Sequence, residues 1–102
     1  MKRRIYLSGG MSGVERADYV RRFGEAEAIL RRHGYGCINP CRVWACSWLA
    51  YDLILLMTRA DGIAMLPGWQ ASRGAQIENY VARHFPMMGI SKAAREEIER
   101  IK

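Results

Sequence analysis

The sequence predicts an α/β protein in which a mainly parallel sheet is covered by helices on both faces. Strand-like and helix-like segments alternate along the chain, a pattern typical of parallel sheets. The 102 residues suffice for one domain, which we place at residues 1–102. Half of the residues are apolar and a quarter are charged, a balance that excludes disordered, collagen-like and coiled-coil chains.

Four short segments have the composition of strands and end at glycine or proline signals. The first is Ile5-Tyr6-Leu7, which stops at Ser8-Gly9-Gly10, and the second is Cys37-Ile38, which stops at Asn39-Pro40. Residues 61–66 form the predicted third strand and residues 87–90 the fourth.

Helices are predicted at residues 15–33, 48–59, 71–84 and 93–101. In the first helix, apolar side chains recur every three or four residues, and Gly34 follows as a left-handed cap. Arg21, Arg22 and Arg32 are predicted on its solvated side. Residues 53–57 alone would also fit a buried strand, but the length of the surrounding segment favours a helix.

The net charge of +6 favours anionic ligands. No basic stripe is interleaved with aromatic residues, so small phosphorylated metabolites are expected in preference to nucleic acid. The longest apolar run, residues 53–57, is too short to cross a bilayer, and no signal peptide is visible. We therefore expect a cytoplasmic protein without a membrane partner.

The cysteines and histidines do not have the spacing of a metal site. Cys37, Cys41 and Cys46 lack the paired C-x-x-C arrangement of zinc ligands, and their odd number favours free thiols. His33 and His84 each lie at a helix end. No metal and no cofactor are predicted.

Ligands of open parallel sheets bind beyond the carboxyl ends of the strands. The loops predicted at that edge are residues 9–13, 40–47 and 67–72. Glycines in the first loop allow a close approach of backbone to ligand, although a tight strand-to-helix turn would need them equally. Trp69 in the third loop can stack on a base or pack in the core.

The helix after the third loop carries an unusual carboxylate. Helical spacing places Glu78 away from the polar side and with the apolar one. The polar side consists of Ser72, Gln76, Asn79 and Arg83, and the apolar side of Gly74, Ile77, Val81, Ala82 and Phe85. A carboxylate among apolar neighbours is costly unless it is paired, so Glu78 is either a working group or the partner of an arginine.

Three blocks of sequence together resemble one family. They are Ile5-Tyr6-Leu7-Ser8-Gly9-Gly10-Met11-Ser12-Gly13, the Gly34-Tyr35 and Asn39-Pro40 pairs, and the run from Asp61-Gly62-Ile63 through Leu66-Pro67-Gly68-Trp69-Gln70-Ala71-Ser72-Arg73-Gly74-Ala75-Gln76-Ile77-Glu78. Over about residues 4–90 the chain resembles small phage and bacterial proteins of the nucleoside 2-deoxyribosyltransferase-like superfamily. The resemblance implies a flavodoxin-like (Rossmann-like) three-layer sandwich with four to five mainly parallel strands.

The resemblance also implies cleavage of the N-glycosidic bond of a nucleoside or nucleotide. By position, Glu78 would be the nucleophile, Tyr6 the group that orients it, and Asp52 the acid at the base. Gly9 and Gly10 would line the sugar and phosphate side, and Ser72 with the nearby backbone would hold a 5′-phosphate. Arg73, Gly74 and Trp69 are further candidate substrate-binding residues. Members are commonly homodimers or higher homo-oligomers.

Other functions fit the same residues. A non-catalytic module could sequester a nucleotide or an ADP-ribose-like signal in this crevice. A phosphoribohydrolase acting on nucleotide 5′-monophosphates would also place a glutamate after a glycine-rich turn. A structural subunit could use Trp44, Trp48 and the last helix as an interface.

Overall fold

The computed structural model describes residues 2–9, 15–42, 56, 59–84 and 87–102. Their strands form a parallel sheet with the order β2-β1-β3. The strands are β1 (Arg4–Ser8), β2 (Gly36–Ile38) and β3 (Gly62–Met65). The helices are α1 (Arg16–Arg32), α2 (Arg73–Arg83) and α3 (Lys92–Glu99), with short 3-10 turns at Pro40–Arg42 and Trp69–Ala71.

The predicted α/β class is confirmed, but the expectation of four to five strands is wrong for the described residues, which form three. The segment predicted as a fourth strand makes one parallel bridge, between Met88 and Gly62. The chain then continues to α3, and the backbone N–H of Ser91 donates to the hydroxyl of Tyr35 at 2.8 Å. A single bridge leaves too few hydrogen bonds for a strand.

The two faces of the sheet are covered by different helices. Ile5 and Leu7 of β1 point to one face, where α1 and α3 form the larger apolar core. Tyr6 points to the other face and packs with Leu56 and with Ala82 of α2. This division follows from the alternation of side chains along a strand.

The described helices begin and end close to their predicted positions. Gly34 has a φ of +87°, as expected for a left-handed cap. Arg22 is only half-buried rather than solvated as predicted, because its guanidinium donates to the carbonyl oxygen of Pro67. Of the predicted helix at residues 48–59, Leu56 and Arg59 are helical, and the rest lies outside the described residues together with Trp44 and Cys46.

A buried polar cluster joins α1 to the end of β2. Glu27 is 4% exposed, and its carboxylate accepts hydrogen bonds from the side chains of Asn39, at 3.1 Å, and Arg31, at 3.0 Å. The side-chain oxygen of Asn39 accepts in turn from the backbone N–H of Cys41 at 2.9 Å. The cluster therefore fixes the chain where it leaves β2.

No helix among the described residues has both the length and the apolar character needed to cross a membrane.

Gly62 and Gly24 provide a matched pair of glycine substitutions. A Cβ atom at Gly62 would collide with the carbonyl oxygen of Met88 and lie 3.0 Å from Cδ1 of Ile5, whereas one at Gly24 has no neighbour within 4 Å. We expect Gly62→Ala to lower the free energy of unfolding by about 1–3 kcal/mol. Gly24→Ala should raise it by about 0.5–1 kcal/mol, because alanine is the better helix former. Urea denaturation measures both values. Equal changes in the free energy of unfolding would contradict the conclusion that packing leaves no room for a Cβ atom at Gly62.

Glu27 and Glu25 provide a second pair, on the same helix. Glu27→Ala removes the carboxylate that accepts from the buried amide nitrogen of Asn39 and should lower the free energy of unfolding by about 1–3 kcal/mol. Glu25 forms an exposed ion pair with Arg21, so Glu25→Ala should change stability by less than about 0.5 kcal/mol. Thermal and urea unfolding distinguish the two variants, and a neutral Glu27→Ala would show that the cluster does not hold β2.

Candidate functional site

The carboxyl end of β1 carries two buried hydroxyl groups on one face of the sheet. Tyr6 is 0% exposed, and Ser8, the last residue of the strand, is 1% exposed. Residues two apart in a strand point to the same side, so both hydroxyls face α2. Because β1 lies between β2 and β3, the strand holds its two hydroxyl groups at a fixed spacing.

Helix α2 presents Glu78 to the same face. Its buried residues are Ala75, Glu78 and Ala82, which are three and four residues apart and so form one stripe of the helix. The prediction that Glu78 lies on the buried side is confirmed. Ile77 was predicted on that side too, but it is 37% exposed because it lies across the helix from the stripe.

The two hydroxyls hold the two oxygens of the carboxylate separately. Tyr6 Oη donates to Glu78 Oε2 at 2.7 Å, and Ser8 Oγ donates to Glu78 Oε1 at 2.6 Å. These are the short distances typical of hydroxyl donors to a charged acceptor. Among the described residues no lysine, arginine or histidine forms an ion pair with Glu78, so the partner is not the arginine that the sequence also allowed.

Burial and hydrogen bonding act on Glu78 in opposite directions. Loss of hydration disfavours the charged form and is the larger effect, so the pKa of Glu78 is raised above its ordinary value of 4.5. The hydrogen bonds from Ser8 and Tyr6 favour the charged form and lower the pKa, but they offset only part of the burial. The site therefore holds a carboxylate whose ionisation depends on two neutral donors.

The other predicted site residues occupy different positions. Ser72 is the N-cap of α2, and its hydroxyl oxygen accepts from the backbone N–H of Ala75 at 3.3 Å. Arg73 is exposed in the first turn and Gly74 is half-buried one turn before Glu78. A Cβ atom at Gly9 would lie 2.9 Å from Cβ of Leu66, so packing also requires this glycine. Asp52 and Gly10 lie outside the described residues.

Trp69 lies beside a separate cleft. This cleft has a volume of about 350 Å³ and is bounded by β3, the Trp69–Ala71 turn, and Arg95 and Glu99 of α3. Glu78, Tyr6 and Ser8 are not among the described residues that line it. The structure thus brings Glu78 and Tyr6 together, whereas Trp69 borders a cleft that neither of them lines.

Ser8 is the site residue that sequence reasoning missed. The available signal was its position two residues after Tyr6, because a strand points both side chains to one face. Among the described residues, no group of three histidine, cysteine or acidic side chains is arranged to hold a metal ion.

Glu78→Gln tests the cost of ionising the buried carboxylate. Because the pKa is raised in the folded protein, the folded state binds a proton more tightly than the unfolded state does. The stability of the wild-type protein relative to Glu78→Gln should therefore fall as the pH rises from 4.5 through the folded pKa of Glu78. The slope for one proton cannot exceed about 1.4 kcal/mol per pH unit.

Urea denaturation of both proteins between pH 4 and pH 9 measures this difference. Glu25→Gln, on the exposed side of α1, serves as the control for removal of one carboxylate. A stability difference between the wild-type protein and Glu78→Gln that stays constant with pH would contradict the raised pKa.

Comparison with known proteins gives one match. Residues 3–91 match a family model described as a domain of unknown function, DUF4406. No curated protein and no solved structure matches the chain. The match covers most of the 102 residues and both parts of the Glu78 site, β1 and α2, and the chain therefore belongs to the DUF4406 family.

Proposed function

We propose that the protein cleaves the N-glycosidic bond of a nucleoside or nucleotide, with Glu78 as the nucleophile. The observation that carries the proposal is the buried Glu78 carboxylate at the carboxyl end of β1, held on both oxygens by hydroxyl donors. The edge at the carboxyl ends of parallel strands is where α/β proteins bind ligands. The strand order β2-β1-β3 agrees with the start of the flavodoxin-like order, which we propose for the whole fold.

The chemistry requires a carboxylate that is ionised but poorly hydrated. Departure of the base leaves positive charge on the sugar, and a carboxylate beside the anomeric carbon can stabilise that charge or bond to it. Burial strengthens the electrostatic interaction because little water screens it. Tyr6 and Ser8 supply the hydrogen bonds that keep such a group oriented.

The remaining roles follow from the sequence resemblance. Gly9 and Gly10 would line the sugar and phosphate side. Trp69 borders the separate cleft, which Glu78 does not line, so we assign it no contact with the base. Ser72 and Arg73 would hold a 5′-phosphate at the start of α2. The Ser72 oxygen accepts from Ala75, which leaves its hydroxyl proton available to a phosphate oxygen. Asp52, proposed as the acid at the leaving base, lies outside the described residues.

One observation favours binding without catalysis as a second candidate. Both oxygens of Glu78 already accept hydrogen bonds from the protein, as they would if the carboxylate only joined α2 to the sheet. Such a protein would sequester a nucleotide or an ADP-ribose-like signal at the same edge. Tight calorimetric binding without turnover would distinguish it from an enzyme.

Base release is the measurement that tests the proposed function. We expect the wild-type protein to liberate free base from at least one member of a panel of nucleosides and 5′-monophosphates, in ribo and deoxyribo forms. Glu78→Gln should lower the rate at least a thousandfold, since the amide cannot act as a nucleophile. Liquid chromatography detects the base, and the preferred sugar separates a deoxyribosyl enzyme from a phosphoribohydrolase.

Glu96→Gln is the matched control, because Glu96 is an exposed glutamate on α3. It should release base at the wild-type rate. Release that is equal in Glu78→Gln and Glu96→Gln would remove Glu78 from the reaction, and no release by the wild-type protein would leave the binding function.

A further inference from the structure

We propose that Ser8 is a positioning residue that controls how readily Glu78 departs from the sugar in the second half of the reaction. The inference rests on the proposed function, in which Glu78 bonds to the anomeric carbon. Ser8 Oγ donates to Glu78 Oε1 at 2.6 Å, and the serine is 1% exposed. The hydroxyl is thus a fixed part of the site.

The backbone that follows β3 and β3 itself hold Ser8 in place. Its position in β1 pairs with Met65 of β3, and its carbonyl oxygen accepts from the backbone N–H of Leu66 at 2.8 Å. The side chain is short, so its hydroxyl reaches Oε1 only when α2 is docked on the sheet. Tyr6 holds Oε2 from the same strand, and the two donors together fix the plane of the carboxylate.

The reaction has two steps, and the charge on Glu78 changes in opposite senses in them. In the first step an oxygen of Glu78 forms a bond to the anomeric carbon. The electron pair of the C–N bond leaves with the base, which takes a proton from the acid, the role proposed above for Asp52. In the second step a water oxygen bonds to the same carbon and releases its proton to solvent. The electron pair of the C–O bond then returns to Glu78, which regains its negative charge.

A donor to Glu78 therefore has unequal effects on the two steps. It stabilises the carboxylate and so opposes its loss of charge when the glycosyl bond forms. For the same reason it assists the return of charge when that bond breaks. The hydroxyl of Ser8 is expected to accelerate the breakdown of the glycosyl–Glu78 ester and to limit its accumulation.

Few titratable groups face Glu78 from the described elements. From β1 the facing group is Tyr6, and the neighbours on the buried stripe of α2 are Ala75 and Ala82. No charged side chain of these residues contributes to the shift in the pKa of Glu78, whose causes are burial and the hydrogen bonds from Ser8 and Tyr6. Removing the hydroxyl of Ser8 should therefore raise the pKa of Glu78 further.

Ser8→Ala, Ser8→Thr and Ser91→Ala form the set of test variants. Threonine restores the hydroxyl in a residue that strands accommodate well, so Ser8→Thr should recover the wild-type behaviour. Ser91→Ala removes the hydroxyl that caps α3 and does not contact Glu78. It is the control for the loss of a serine hydroxyl that has only a structural role. Circular dichroism confirms that each variant is folded before it is compared.

In Ser8→Ala we expect steady-state base release to fall about tenfold to a hundredfold, the effect of a lost hydrogen bond to a charged group. At a pH above the pKa of Glu78 the first turnover should remain fast, so a burst of base precedes the slow phase. Acid quenching and intact-protein mass spectrometry should show the glycosyl adduct on Glu78. Titration of its side-chain carboxyl carbon by NMR should show the higher pKa.

The outcomes separate the role of Ser8 from the proposed function. A wild-type protein that releases no base overturns the proposed function, and the kinetic role of Ser8 fails with it. Base release with no burst, no adduct and an unchanged pKa of Glu78 in Ser8→Ala overturns the Ser8 role alone. A burst that appears equally in Ser91→Ala would do the same, because it would reflect general loss of stability.

Discussion

The docking of α2 on the sheet depends on the hydrogen bonds that Tyr6 and Ser8 donate to Glu78. Glu78 is the polar member of the buried stripe of α2, so the helix cannot dock unless its carboxylate finds donors. β1 supplies both donors because it points every second side chain to that face. The packing of α2 against β1 and the proposed chemistry of Glu78 therefore require the same two hydroxyl donors.

This requirement has an energetic cost that the apolar contacts of α2 must offset. A charged group loses hydration when it is buried, and neutral hydroxyls return only part of that free energy. A protein that needed α2 only as a cover for the sheet would be more stable with an apolar residue or glutamine at position 78. Glu27 shows the contrast, because it is equally buried but has Arg31 as a partner.

Much of this arrangement could be predicted from the sequence because it depends on local periodicity. The apolar composition of Ile5-Tyr6-Leu7 and the apolar stripe of α1 identify these elements, and the absence of polar neighbours on one side of α2 identifies Glu78. The fourth strand is predicted on composition as well. In the described structure this segment forms only one parallel bridge, between Met88 and Gly62, and composition cannot show how many residue pairs a segment forms with its neighbour.

The site was less predictable than the fold because its contacts join residues about 70 positions apart. Helical spacing predicts that Glu78 is buried, but it cannot show whether the partner of the carboxylate is an arginine or a hydroxyl group. That choice depends on the register of β1 against β3, which brings Ser8 beside Met65 and aligns its hydroxyl with α2. A serine at the end of a strand looks like part of a turn in sequence. Its pairing with Met65 of β3 and the docking of α2 make it a buried donor to Glu78, and so a part of the proposed chemistry.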